Sequence, residues 1–197
     1  MTSRGSLVVG LAGKAAAGKN TLLKVFLGRG FVVIDADQLG HEALEACSGA
    51  LWNRFGTNER RALGTIVFRD RKALADLEAI SHPYILSRIF QILDTLDGKP
   101  AVINAPLLSR LKLGKTLDVV IWVQAPLLAR LKRAKARDNR GWLFVLRRAW
   151  IQRKLSAQDF GPDVDIHSVE NPASPEQAWA QLERILDRLP HFPERKP

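Results

Sequence analysis

Residues 8–21 constrain the fold of this chain more than any other segment. An apolar run gives way to a Gly-x-x-x-x-Gly-Lys pattern, from Gly13 to Lys19, and then to a helix-forming segment. Glycines at these two positions let backbone N–H groups curve around phosphate oxygens, and the lysine reaches the outer oxygens. The helix that follows directs the positive end of its dipole at the same anion. The pattern predicts a strand, a phosphate-binding loop and a helix, in that order.

One position in this loop departs from the usual pattern. Asn20 stands where a Ser or Thr hydroxyl ordinarily binds magnesium, and the nearest hydroxyl is on Thr21. The Asn20 amide oxygen is a hard neutral ligand that can reach magnesium directly or through water, so Asn20 is the candidate metal ligand. A Gly/Ala-rich turn that merely joins strand to helix is the alternative. The residues expected to bind the nucleotide are Gly13, Lys14, Ala16, Ala17, Gly18, Lys19, Asn20 and Thr21.

Composition limits the class of protein. A chain of 197 residues with 46% apolar content is expected to form one compact domain, and we expect a monomer. Cys47 is the single cysteine, which excludes an intrachain disulfide and favours the cytoplasm. Lys14 interrupts the first apolar run too early for a secretory signal. No segment approaches the roughly 18 uninterrupted apolar residues of a membrane span, so no membrane partner is expected.

The charge of the chain is strongly positive. The formal net charge is +10, and basic residues crowd between Arg130 and Lys154. Such a charge fits a partner with several phosphates. Aromatic residues are not interleaved at the spacing of single-strand binding, so we expect no nucleic-acid partner. A phosphate-binding lid and a solvated basic helix face both remain open.

The rest of the chain alternates strands with helices. Further buried-type strands at 31–34, 101–104 and 119–123 predict an α/β protein with a parallel sheet, which we expect to have five strands and to bind ligands at their carboxyl ends. Asp70 is placed to cap a helix and Pro83 to begin one. The predicted helices span 38–52, 60–67, 71–80, 83–96, 126–137 and 175–189, and a basic segment spans 139–158.

Two carboxylates follow the second strand. Phosphoryl transfer needs positioning and charge neutralisation, and a carboxylate can accept the proton of the attacking hydroxyl. Asp35, at the end of this strand, is the candidate base, and Asp37 lies one pleat further on the same side. Turn residues or helix caps are the alternative for both. His82 is a candidate substrate contact, with a structural turn residue before proline as its alternative.

Six blocks, in the same order, resemble those of the dephospho-CoA kinase family. They include an Asp-Ala-Asp motif and a His-Pro block, and the similarity covers nearly the whole chain. The blocks are 10–13 with Gly18-Lys19, 33–37, 62–68, 77–83, 105–108, and Arg130 with Arg137-Asp138.

The resemblance implies a three-layer P-loop kinase formed by residues 1–197 as one domain, with a helical acceptor-binding lobe at about 38–98 and a basic lid at about 130–158. It implies transfer of the ATP γ-phosphate to the 3′-hydroxyl of dephospho-CoA, with magnesium. Asp35 would be the base, Lys19 would steady the phosphates and Arg137 would stabilise the transferring group. Asp37, His82 and Arg147 would bind substrate.

The chain departs from this family at several positions. Asn20 replaces a Ser, Asn104 stands where an Asp is common, and Ser109-Arg110 replaces Phe-Glu. Another small-molecule, nucleoside or nucleotide kinase of the same architecture is therefore an alternative. A nucleotide-binding or nucleic-acid-binding protein without catalysis is the second alternative.

Overall fold

The computed structural model describes residues 6–67, 69–105, 108–113, 116–138, 152, 155–161, 164–172 and 174–189. The chain divides into two compact units, of which the first comprises Met1–Ile34 with Leu96–Pro197 and the second comprises Asp35–Thr95. Among the described residues, no helix combines the length and the apolar content that a bilayer crossing requires.

Five strands form one sheet, as the sequence predicts. Their order across the sheet is β2-β3-β1-β4-β5, so β1 lies at the centre. β1 pairs in parallel with β3 and with β4, and β4 pairs in parallel with β5. The strands are β1 (Val8–Gly13), β2 (Val32–Asp35), β3 (Ala101–Asn104), β4 (Val119–Gln124) and β5 (Asp165–Glu170).

The position of β5 was not found in the sequence. Its residues Asp-Ile-His-Ser-Val-Glu include only two apolar side chains, separated by polar ones, and among them only Val169 is buried. β1 and β3 are buried at every position, which explains their continuous apolar runs. A half-exposed edge strand has no continuous apolar run, so the pattern that predicts the other strands is absent from β5.

The core of the first unit lies on one face of this sheet. It contains α1 (Lys19–Gly28) and α7 (Pro175–Leu186), packed against alternate residues of β1 and β4. Phe26 meets the Phe31 ring edge-on, with the ring centroids 5.0 Å apart. The same unit contains α6 (Leu127–Asp138), which follows β4. The carboxyl end of β1 is thereby fixed between strand neighbours on both sides, and the phosphate-binding loop begins there.

The described residues of the second unit form four helices. α4 (Arg60–Val67) has the predicted bounds, but the single helix predicted at 38–52 is wrong. Two helices are present, α2 (Ala36–Ala46) and α3 (Ser48–Phe55), with Cys47 between them at φ −98° and ψ 16°. Ser and Gly follow Cys47, and their low helix propensity is consistent with a break at this point.

The predicted boundary at Pro83 is also wrong. α5 (Arg71–Asp94) is one continuous helix of 24 residues with Pro83 inside it. Proline removes one hydrogen bond from a helix interior. Here, buried residues on both sides of Pro83, among them Ala73 and Ile89, hold the helix together. The cap predicted at Asp70 is confirmed, because its Oδ1 accepts from the Lys72 N–H at 2.8 Å.

Candidate phosphate-binding site

The loop between β1 and α1 needs its two glycines for both conformation and space. Gly13 has φ +146° and Gly18 has φ +101°. A Cβ on Gly13 would lie 2.4 Å from the Val123 carbonyl oxygen, and a Cβ on Gly18 would lie 2.0 Å from the Asn171 amide nitrogen. Any side chain at these positions would displace backbone or a buried amide.

The side chain of Lys19 connects the end of the loop to its beginning. Its Nζ donates to the Gly13 carbonyl at 2.8 Å, and the side chain is buried. No side chain caps the N-terminus of α1 within the described part of the chain. The first N–H groups of α1 and its positive dipole end are therefore available to an anion. The Thr21 hydroxyl donates to the Gly18 carbonyl at 2.6 Å and so stabilises the turn into the helix.

Side chains from elsewhere in the first unit hold the backbone of the loop. The Ala15 N–H donates to Gln152 Oε1 at 2.7 Å, and the Ala15 carbonyl accepts from Arg130 Nε at 3.0 Å. The Ala17 carbonyl accepts from Asn171 Nδ2 at 2.9 Å. Gln152, Arg130 and Asn171 are all buried. Because these hydrogen bonds lie in a low-dielectric interior, they are strong and hold the loop backbone in place.

Asn171 is itself held on two sides. Its N–H donates to the Gln124 carbonyl at the end of β4 at 2.8 Å. Arg133, on α6, donates to the Asn171 carbonyl at 3.1 Å and to the Pro172 carbonyl at 3.3 Å. α1 receives a similar contact, since Trp179 Nε1 donates to the Thr21 carbonyl at 2.9 Å.

The sequence reasoning missed these supporting residues. Asn171 follows β5 at the same sheet edge as the loop, so locating β5 would have pointed to it. Gln152 and Trp179 carry no spacing signal, because their partners Ala15 and Thr21 lie 137 and 158 residues earlier in the chain. Arg133 acts on Asn171 rather than on the loop itself.

Arg130 lies at the start of the segment predicted as a lid, and the structure describes its side chain. Burial lowers the pKa of its guanidinium below the usual value, because the charged form loses hydration. Arg137 lies near the carboxyl end of α6, but its side chain lies outside the described part of the structure. Arg147 lies wholly outside it.

The predicted general base, Asp35, lies in the second unit. Asp35 is the last residue of β2 and the N-cap of α2, and its Oδ1 accepts from the Asp37 N–H at 3.0 Å. The carboxylates of Asp35 and Asp37 are exposed. Asp35 is thus a helix cap, and its second oxygen has no hydrogen-bond partner in the described part of the chain. His82 lies inside α5 rather than at a turn.

The comparison with known families decides the class of this chain. The family model described as dephospho-CoA kinase matches residues 7–159. The chain belongs to the dephospho-CoA kinase family.

Individual relatives agree with this family assignment. A dephospho-CoA kinase of Syntrophus aciditrophicus is 30% identical over 202 aligned positions, covering 94% of this chain and 85% of the relative. One of Borreliella burgdorferi is 36% identical over 127 positions, covering 60% of this chain. The chain spans about three fifths of the length of that relative, 62%, and of a Borrelia garinii relative, 63%.

Solved structures agree with the fold. The structure of TT1252 from Thermus thermophilus has a TM-score of 0.79 at 27% identity, with 95% of this chain and all of that chain covered. A dephospho-CoA kinase from Campylobacter jejuni has a TM-score of 0.62 at 23% identity, with 91% and 95% covered, and supports the fold alone.

Two amide side chains, Asn20 and Asn104, are to be considered for the predicted magnesium ion. Asn20 is exposed in the first turn of α1. Asn104, at the carboxyl end of β3, is buried, and its Oδ1 has no hydrogen-bond partner among the described residues. No cluster of three or more His, Cys, Asp or Glu suited to a metal occurs in the described part. Neutral oxygens fit Mg²⁺, which keeps several waters and takes phosphate oxygens as ligands.

Proposed function

We propose that this protein transfers the γ-phosphoryl group of ATP to the 3′-hydroxyl of the dephospho-CoA ribose, which yields coenzyme A. One observation carries the proposal: a glycine loop with a buried lysine and buried supports, in a chain that belongs to the dephospho-CoA kinase family. Membership of the family supports this reaction class, and the loop is suited to binding the phosphates.

The loop's task is to hold charge in place. Lys19 and the N–H groups at the start of α1 bind the β- and γ-phosphate oxygens, and they stabilise the negative charge that spreads over the transferring group. The supports from Asn171, Gln152 and Arg130 fix these donors beforehand. These donors then need little reorganisation during the reaction, and preorganised donors stabilise a transition state most effectively.

Asp35 is the proposed general base. The ribose 3′-oxygen forms a bond to the γ-phosphorus as the bond from that phosphorus to the β,γ-bridging oxygen breaks, and ADP leaves. The hydroxyl proton passes to the Asp35 carboxylate. The hydrogen bond to the Asp37 N–H orients this carboxylate through Oδ1 and leaves the other oxygen to accept the proton.

The remaining assignments complete the proposal. Asn20, and Asn104 through water, would hold a magnesium ion, which neutralises phosphate charge when bound. Asp37, His82 and the helical unit would contact the acceptor, and Arg137 and Arg147 would close over the phosphates. We propose a cytoplasmic monomer whose partners are ATP and dephospho-CoA.

An acceptor screen tests this function. The protein is incubated with Mg-ATP and, separately, with dephospho-CoA, nucleosides and nucleoside monophosphates. We expect a phosphomonoester at the 3′-position of dephospho-CoA, identified by phosphorus NMR, and much slower transfer to the other acceptors. Phosphorylation of a nucleoside or nucleotide without dephospho-CoA would replace the substrate assignment. ATP binding without transfer to any acceptor would favour the protein without catalysis.

A further inference from the structure

A polar cavity lies beside the phosphate-binding loop within the first unit. Its volume is about 330 Å³. It opens at the ends of β4 and β5, and the side chains that matter here are Lys14, Trp122, Gln124, Arg130, Ser156 and Gln158. Lys14 is the described loop residue that lines this cavity. Residues 15–20, which include Lys19 and the start of α1, do not line it. The cavity is therefore distinct from the space that the loop encloses.

The charge of this cavity is positive. Lys14 and Arg130 both line it, and none of its described lining residues is an Asp or a Glu. Asp159, close by in the chain, accepts from the Ser156 N–H at 3.0 Å and is not part of the lining. The described lining therefore carries more positive than negative charge, and such a surface raises the local concentration of anions.

Arg130 is the most informative residue in this cavity. Its side chain is buried, with 8% of the residue exposed, and Nε is bonded to the Ala15 carbonyl. The two terminal nitrogens have no hydrogen-bond partner among the described residues. These nitrogens are not among the described buried atoms that lack a partner, so they open into the cavity, where an anionic acceptor can replace water in front of them. Partial burial, which removes hydration from the charged form, also lowers the pKa of the Arg130 guanidinium.

The neutral walls fit a phosphate ester more closely than a simple ion. Gln124, Ser156 and Gln158 contribute polar side chains, and the Gln124 amide already donates to Ser168 at 3.2 Å. Trp122 adds an aromatic surface that is braced edge-on by Phe160, with centroids 6.5 Å apart. A phosphate group with an attached organic portion can use both kinds of wall.

We propose that this cavity binds a phosphate-bearing group in addition to the nucleotide phosphates held by the loop, with the terminal nitrogens of Arg130 as its main donors. A guanidinium presents paired N–H groups that match two phosphate oxygens, and Lys14 adds a second positive charge. Two sources share this chemistry, free inorganic phosphate and the diphosphate of the acceptor. The second source rests on the proposed function and the first does not.

Titration calorimetry of the whole chain tests the site directly. Inorganic phosphate, and pyrophosphate in a separate titration, is added while a non-hydrolysable ATP analogue saturates the loop. We expect binding of at least one of them to persist, and Arg130→Met to weaken it about 10- to 100-fold, as expected for loss of charged hydrogen bonds. Lys132→Met is the matched control, because it removes an exposed positive charge from the same helix and should change the affinity less than 2-fold.

Three results would overturn the site. These are loss of all phosphate and pyrophosphate binding once the analogue is bound, no binding in the wild type, and equal effects of the two substitutions. Arg130 also contacts the loop, so Arg130→Lys serves as the second variant. It keeps the charge and should recover part of the phosphate affinity, whereas unchanged loss in a folded Arg130→Lys protein that still binds the analogue would contradict the role of the guanidinium.

Kinetics then distinguish the two sources. If the acceptor diphosphate occupies the cavity, phosphate competes with dephospho-CoA and Arg130→Met raises KM for dephospho-CoA about 10-fold or more. KM for ATP rises as well, by a smaller factor, because the Ala15 carbonyl loses its hydrogen bond from Arg130. If free phosphate is the ligand, KM for dephospho-CoA stays constant and phosphate does not compete. Absence of any transfer to dephospho-CoA would end the proposed function, while the phosphate titration would still decide the cavity.

Discussion

The two strand-to-helix junctions that carry the proposed chemistry are built in opposite ways. Between β1 and α1 the chain makes a loop from Gly13 to Gly18, and buried side chains from distant segments bind its backbone. Between β2 and α2 there is no loop at all. Asp35 ends the strand and caps the helix, exposed and bonded to Asp37 two residues later.

The difference reflects what each junction has to do. Several N–H groups must converge on phosphate oxygens, and a short loop in left-handed conformations does not hold that arrangement without external contacts. A general base needs one oriented carboxylate, which a cap hydrogen bond already provides. The comparison therefore predicts that changes at the first junction alter nucleotide binding, and that changes at the second alter the chemical step.

The largest expected effect is at the second junction. Asp35→Asn keeps the shape and the cap but cannot accept the proton, so we expect kcat to fall by about 10²- to 10⁴-fold. The dissociation constant of ATP, measured by calorimetry, should change less than 2-fold. Asp37→Asn is the control and should leave kcat within a few-fold. An Asp35→Asn enzyme with normal turnover would remove Asp35 from the mechanism.

The next effect is at the first junction. Gly18→Ala places a methyl group against Asn171 in a backbone conformation that alanine disfavours by about 1–3 kcal/mol. We expect weaker ATP binding and a lower Tm. Gly49→Ala is the control, because an added Cβ there meets nothing within 4 Å. Equal behaviour of the two variants would mean that the loop tolerates distortion.

A smaller effect is expected at the support of the loop. Asn171→Ala leaves the Ala17 carbonyl without its buried donor, which costs about 1–3 kcal/mol. We expect KM for ATP to rise more than kcat falls. Gln181→Ala removes two amide hydrogen bonds to the Glu170 backbone at the surface and serves as the control. A fall in Tm with unchanged KM would show that Asn171 stabilises the fold without positioning the loop.

The smallest effect is expected at Asn20. Asn20→Ser restores a hydroxyl at the position where the loop pattern usually has one. We expect activity to be kept or raised, and half-saturation at a lower magnesium concentration. A clear loss of activity would mean that the amide has a contact of its own that the hydroxyl does not replace.

The sequence predicted the parts of this molecule that depend on residues close together in the chain. The glycine loop, four of the five strands, the bounds of α4 and the cap at Asp70 follow from local patterns of apolar, glycine and capping residues. Each of these depends on residues close together in the chain, which is what periodicity and capping rules describe.

The rest depends on contacts that sequence spacing does not encode. Helix continuity through Pro83 depends on burial along α5, and the supports of the loop come from Arg130, Gln152 and Asn171 far along the chain. A buried Asn and a surface Asn look alike in a sequence. β5 was missed for a related reason, since an edge strand has no continuous apolar run.

Amide hydrogen exchange, resolved by NMR in the absence of nucleotide, tests the contrast between the two junctions most directly. The N–H groups of Ala15 and Ala17 are bonded in a buried setting, to Gln152 and to the Lys14 carbonyl, whereas that of Asp37 is bonded at the surface. We predict slow exchange at Ala15 and Ala17 and fast exchange at Asp37. Fast exchange at both alanines would mean that the loop forms only when ATP binds, which would contradict the preorganised site.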